Sequence, residues 1–335
     1  MASADELEMQ LPLRTLGATN LRVTPIGLGL AALGRPAYIN LGRDADLGSD
    51  RSIAALRSRA HEVLSAAFDA GVRYFDAARS YGLAETFLAS WLEDRGLSPD
   101  AVTVGSKWGY TYTANWRLDA TENEVKDHSL AALRRQYRES REILGDRLQL
   151  YQIHSATLES RVLEDRQVLT ELAQLRSKGI FIGLTTSGPR QAEVIRRAIA
   201  VQVDGVNLFA TVQATWNLLE PSAGAALAEA HAAGMGVIVK EVLANGRLTS
   251  RGAATEPALR ELAARGGAEL DAIAMAAALA NPWVGVVLSG AVTVGQLESN
   301  LGAVRLATRE DPTSLARYAE PADSYWARRK ELRWS

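Results

Sequence analysis

GVRYFDAARSYGLAE, residues 71–85, opens with a short apolar run that ends on an acid, Asp76, and leads through a turn to Tyr81. Two runs downstream share that form: VTVGSK (102–107) ends on Lys107, and LQLYQIH (148–154) ends on His154. All three are short and nearly continuous in apolar character, as strands buried on both faces are. A buried strand seldom finishes on an ionisable side chain without a use for it. In a parallel barrel the carboxyl ends of successive strands open onto one face, where chemistry is done. On that reading Asp76, Tyr81, Lys107 and His154 meet at one point.

The same alternation fills the chain. Strands are expected at 25–30, 72–76, 102–107, 148–154, 180–185, 206–209 (extending toward Val212), 236–240 and 284–289. Helices are expected near 58–70, 84–94, 122–144, 165–178, 189–200, 222–233, 256–280 in two pieces, and 294–305. Eight βα units on one chain of this length predict an α/β fold, a closed, parallel, eight-stranded (β/α)8 TIM barrel. Without a repeat, linker or low-complexity tract, one domain over 1–335 is expected. Thr121 to Glu124 has the form of a capping box before the third helix. Gly71 and Gly179 stand where helices end and a left-handed residue is wanted. Ser187-Gly188-Pro189 is expected to open the fifth helix.

Two long loops, 31–52 and 108–120, leave carboxyl ends of strands and should border the active mouth. The tail 306–335 carries Tyr318, Tyr325, Trp326 and Trp334 and is expected on or near the barrel. GLGLAA (27–32) fits a loose dinucleotide fingerprint, but Gly34 and Pro36 follow where a helix would be needed, so its glycines are read as turn residues.

Composition narrows the class. The 335 residues are 47% hydrophobic and 23% charged, with net charge −2 and a pI near 6.2. No basic patch argues for nucleic acid or an anionic membrane as partner. Zero cysteines exclude disulfides, thiolate metal sites and a cysteine nucleophile, and suit a cytoplasmic location. The start, MASADELEMQ, lacks the basic and apolar regions of a secretory signal. The longest apolar stretch, Leu270 to Leu279, is too short to span a bilayer. His61, His128 and His231 lack ligand spacing and read as packing residues; no metal is expected.

The four converging residues form a device for protonating a carbonyl oxygen. A phenol is too weak an acid to give up its proton readily at neutral pH. A nearby ammonium, Lys107, would lower its pKa, and Asp76 would be the counter-ion that a buried lysine needs. His154 would hydrogen-bond and orient the carbonyl. This device brings no electrons, so a nicotinamide is the expected reductant.

Residues 71–85, with Lys107 and His154, resemble the aldo-keto reductases, and the similarity runs from Leu13 to about Arg305. The resemblance implies the (β/α)8 barrel, NADP or NAD as cofactor, and a small carbonyl or alcohol (a sugar hemiacetal among them) as substrate. It implies Tyr81 as general acid, Lys107 as its tuner, Asp76 as holder of Lys107 and His154 as orienter. Gln213 looks like the family glutamine that holds the carboxamide. Thr185 and Thr186 stand where Ser-Asn is usual. Lys240-Glu241-Val242-Leu243 replaces an aromatic-Ser-Pro-Leu run, leaving Trp216 or Lys240 beside the nicotinamide and Leu243 in its usual place. Ala244-Asn245-Gly246-Arg247-Leu248 is similar to the pyrophosphate loop. GAVTVGQLESN (290–300) resembles the adenosine site, with Gly290, Ala291, Val292, Gln296 and Asn300 as candidates. It has no Lys or Arg for a 2′-phosphate, so NADH is expected to be tolerated or preferred unless Arg247 or Arg305 reaches in. Trp108, Tyr110 and Trp116, with Tyr38 from the first loop, are the expected substrate-pocket wall. Readings from other classes are a nicotinamide-binding regulator resembling channel β subunits, and a non-redox lyase or isomerase on the same barrel.

Overall fold

Eight parallel strands close into a barrel in the computed structural model, which describes residues 11–266, 268–306 and 316–334. They are β1 Ile26–Gly29, β2 Tyr74–Asp76, β3 Thr103–Trp108, β4 Leu148–Ala156, β5 Phe181–Thr186, β6 Thr211–Thr215, β7 Gly236–Lys240 and β8 Val286–Ser289. Each strand pairs with the next in sequence, and β8 closes on β1. The connecting helices are α1 Ile53–Asp69, α2 Ala84–Asp94, α3 Leu130–Leu144, α4 Arg166–Ser177, α5 Gln191–Ile199, α6 Gly224–Ala232, α7 Leu270–Leu279 and α8 Val294–Leu306. Their apolar faces pack on the outer face of the sheet in one continuous core. The expected (β/α)8 barrel is the fold observed. Among the described residues no helix is long and apolar enough to cross a membrane.

The amino end of the barrel is plugged. A two-stranded turn, Arg14–Thr15 against Arg22–Val23, brings Leu16, Leu21 and Val23 against Tyr74, Leu150, Ile238 and Val286. The carboxyl end carries the longer loops.

Several elements differ from the sequence expectation. The sixth strand is 211–215; Val206 and Asn207 instead pair back on Gln202 and Val203. Asp204 and Gly205 between them have φ of 53° and 74°, the left-handed pair that a tight hairpin needs. The third helix starts at Leu130, eight residues after the expected 122, because Ser129 caps it by accepting from the Ala132 amide at 3.2 Å. The last residue of the supposed capping box opens a strand instead: Glu124–Lys126 pairs with Tyr110–Tyr112, Glu124 opposite Tyr112. Proline 189 lies just before the fifth helix, whose N-cap is Arg190. Gly71 and Gly179 do take positive φ, 95° and 89°. Residues 1–10 and 307–315 of the expected domain and tail lie outside the described residues.

Candidate active site

The floor of the open end is built on β2 and β3. Gly27 on β1 and Gly105 on β3 leave room for the Tyr74 ring; a Cβ at either would stand 2.7 Å from a Tyr74 atom. Gly27 is thus a packing position rather than a turn. Tyr74, so placed, donates its hydroxyl to Asp76 Oδ2 at 2.9 Å. Gln152 and Gln213 donate to the same oxygen at 3.3 and 3.0 Å. The other carboxylate oxygen takes the Lys107 ammonium in a buried ion pair, and Lys107 also donates to the Ala77 carbonyl at 2.9 Å. Every partner a buried charge pair needs is present.

Tyr81 stands over this floor. Its hydroxyl lies 3.5 Å from His154 Nε2, and the Lys107 ammonium is 4.9 Å from its ring centroid. Burial and the Asp76 carboxylate raise the phenol well above its ordinary value, against the smaller lowering effect of Arg35. Lys107, expected to lower it, instead has its charge taken up by Asp76. The phenol therefore keeps its proton and is available as a donor. His154 is held neutral, because burial, then Lys107, Lys240 and Arg35, press its pKa well below 6.5. His128 buttresses it, donating from Nε2 to the His154 carbonyl at 2.8 Å. Burial pushes His128 itself down to about 4.

A cavity of about 640 Å³ opens above these groups. It is reached by Asp76, Tyr81, His154, Gln213, Lys240, Leu243, Asn245, Gly246, Gly290, Ala291, Val292, Gln296 and Asn300 among the expected residues. Tyr38 and Tyr110 reach it too, the Tyr110 ring standing 5.0 Å from that of His154. Lys107 is buried and does not line the cavity, whereas Asp76 and Tyr81 do.

Other expected contacts do not reach the cavity. Trp108 follows the inward-facing Lys107, so strand alternation turns it outward against His128 at 5.6 Å. Trp116 donates to the Arg51 carbonyl at 2.8 Å and packs on Phe87. Trp216 packs edge-on against Trp283 at 6.0 Å. The Thr185 hydroxyl accepts from the Ser155 amide at 2.7 Å, and Thr186 is fully buried; Ser187 lines the cavity in their stead. Arg247 is held by Glu256 and Glu320 at 2.9 and 2.6 Å. Arg305 lies eleven residues into α8, about 16 Å from its amino end at 1.5 Å per residue.

The cavity also has walls that no motif announced. The helix Ala322–Lys330 brings Arg329 onto Glu241 in a two-pronged ion pair, and Lys240 lies 3.8 Å from the same carboxylate. Burial would raise Glu241, but Arg329 and Lys240 outweigh it and hold the acid at about 2. Lys240 is pressed down to about 8, chiefly by burial. Beside α8, Asp271 accepts from Ser299 Oγ at 3.0 Å and Asn300 Nδ2 at 2.9 Å. The tail's aromatic excess was the one sequence signal for the first of these walls.

The aldo/keto reductase family model matches residues 25–315. The chain belongs to the aldo/keto reductase family. It is thus an oxidoreductase by class. It is 28% identical over 217 residues to a pyridoxal 4-dehydrogenase of Microbacterium luteolum, a match spanning 56% of this chain and 58% of that protein. It is 26% identical to an L-galactose dehydrogenase of Arabidopsis thaliana, over 88% of each chain. Its barrel superposes on the holo form of an aldo-keto reductase from Bacillus halodurans with a TM-score of 0.65 at 21% identity, covering 93% of this chain and 98% of that one.

Proposed function

We propose that the protein moves hydride between a nicotinamide nucleotide and a small carbonyl compound, or the matching alcohol, with Tyr81 handling the proton. The observation that carries this is the Tyr81 hydroxyl, 3.5 Å from His154 Nε2 at the floor of the cavity, above a fully partnered Lys107–Asp76 pair. His154 orients the substrate oxygen and Tyr81 donates to it. As that oxygen gains electron density, it becomes more basic than a phenolate and takes the Tyr81 proton. Arg35, whose guanidinium carbon lies 5.1 Å from the Tyr81 ring centroid, then eases the phenolate until solvent in the cavity reprotonates it.

The residues fit a nicotinamide nucleotide. Asn245 lines the cavity, and its buried Oδ1 has no partner among the described residues. Gly290 leaves open space where a Cβ would stand, at the approach to the amino end of α8. Gln213, Asn245, Gly246, Gly290 and Gln296 are the groups that would hold it; when bound, it supplies or takes up the hydride. Asp271 favours NAD over NADP, since a carboxylate without a cationic partner among the described residues would repel a 2′-phosphate. The test is titration with NADH and NADPH in parallel, then turnover. Binding of neither by folded protein would sink the reading, and tight binding with negligible turnover on many carbonyls and alcohols would favour a regulator.

A further inference from the structure

One nitrogen of a buried arginine beside Tyr81 stands without a partner among the described residues. Arg35 is 1% exposed, yet it lines the cavity. Its Nε donates to the Ala31 carbonyl at 3.0 Å, and its Nη1 to the Ser80 carbonyl at 3.1 Å and to Glu124 Oε1 at 2.6 Å. Nη2 makes no hydrogen bond among the described residues, and neither does Oε2 of Glu124, which lines the same cavity. The placement is constrained. Gly34 and Gly82 meet so closely that a Cβ on Gly34 would stand 2.3 Å from the Tyr81 carbonyl. The Arg35 guanidinium carbon lies 4.7, 5.1 and 4.6 Å from the ring centroids of Tyr38, Tyr81 and Trp334. With aromatic rings around the guanidinium and three of its N–H bonds occupied, only Nη2 is free to meet a ligand.

That remainder selects a chemistry. A carboxylate or phosphate is gripped by two parallel N–H groups on adjacent nitrogens of the fork. Here Nε and Nη1 are already engaged, so neither edge of the fork is complete. Glu124 also balances the charge. What is left is the Nη2 amino group, with its two N–H bonds on one nitrogen, and an acceptor on Glu124 Oε2; together they suit a hydroxyl, which accepts and donates at once. Tyr38, Tyr110 and Trp334 supply apolar faces for the carbon frame.

We infer that Arg35 and Glu124 form a hydroxyl-binding subsite beside Tyr81, so the substrate is a neutral carbonyl compound or alcohol bearing a further hydroxyl next to the reacting carbon. This rests on the oxidoreductase reading above.

The test compares glyceraldehyde with propanal, the same three-carbon chain with and without hydroxyls, using NADH and NADPH in parallel. A site built around a hydroxyl should favour glyceraldehyde in kcat/KM by at least about tenfold. Glu124→Gln, which keeps the shape, and Arg35→Met should each bring that ratio to within about threefold. A ratio unchanged in both variants would overturn the inference, as would a wild-type preference for glyoxylate, because that would mean an uncompensated cation. A second readout needs neither turnover nor nucleotide: saturation-transfer NMR with an equimolar mixture of glycerol and 1-propanol. Saturation of glycerol in excess, lost in Glu124→Gln, supports the subsite even if no aldehyde is turned over. Equal saturation of the two alcohols removes it even if the enzyme is an active reductase.

Discussion

Asp76 and Asp271 are two carboxylates of one cavity, and they are treated in opposite ways. Asp76, at the end of β2, takes a buried ammonium on one oxygen and three neutral donors on the other. Asp271, in the first turn of α7, takes the Ala272 amide, the Ser299 hydroxyl and the Asn300 amide, with no ion pair among the described residues. The first charge is neutralised within the protein and fixes the geometry under Tyr81. The second is left to act on whatever enters the cavity. A carboxylate's role is thus set by whether a cation shares its burial, not by its being acidic.

The largest effect expected lies above Asp76. Tyr81→Phe removes the proton and should lower kcat by about 10²–10⁴, the usual worth of a positioned general acid. Equilibrium titration with the nucleotide should remain within about twofold of wild type, because the phenol is not among the groups proposed to hold it. Wild-type turnover by Tyr81→Phe would remove the floor of Asp76, Lys107 and Tyr81 from the mechanism.

The two carboxylates themselves should separate in stability. Asp76→Asn leaves the Lys107 ammonium buried and unpaired, which costs about 3–5 kcal/mol. Asp271→Asn keeps a hydrogen-bonding oxygen at a half-buried helix start and should cost about 1 kcal/mol or less. Urea unfolding of both variants checks this. Similar losses would mean that the asymmetry of their partners has no energetic content.

Much of this is legible in the sequence. Asp76, Lys107 and His154 announced themselves because ionisable ends on apolar strands are rare, and a strand end fixes where its side chain goes. Position within a loop is not fixed that way. Trp108 and Trp116 read as pocket wall from the crowding of aromatics on one loop, and Trp216 as a neighbour of the nicotinamide from the resemblance, yet pleat alternation and neighbouring aromatics turn each away. Glu124 read as a helix cap by local pattern, while Arg35, 89 positions distant, draws it into the cavity. Arg329 reaches Glu241 across 88 positions, a pairing that no local window contains. Local propensity sees the barrel; the cavity wall is made of contacts between segments that sequence separates.

Glu241 offers a third carboxylate, and pH isolates it. Its folded value, about 2, lies below its ordinary 4.5. A depressed acid contributes stability that is fully present above the ordinary value and is lost as pH falls through the folded one. Thermal melts from pH 6 down to 2 should show a fall in Tm that is shallower in Glu241→Gln than in wild type. The gap between the two curves should be widest above about pH 4.5 and close as pH falls below it. Identical acid limbs would mean that the Arg329 clamp does not tie the C-terminal helix to the mouth.

The smallest effect is the most discriminating. If the Asp271 charge faces the 2′ position of a bound nucleotide, Asp271→Asn should tighten NADPH by about 3–10-fold, or about 0.7–1.4 kcal/mol, and change NADH by less than about twofold. The measurement is the dissociation constant of each nucleotide from tryptophan quenching, in wild type and variant. Salt sharpens it. Repulsion between a half-exposed carboxylate and a phosphate is screened over about 10 Å at 0.1 M and about 3 Å at 1 M. Pyrophosphate contacts are common to both nucleotides, so their salt dependence cancels in the ratio of the two constants. The wild-type preference for NADH should therefore narrow as salt rises, while the ratio in Asp271→Asn stays flat. If both nucleotides shift together, Asp271 orders the Ser299 and Asn300 side chains for the adenosine they share, and its free charge selects nothing.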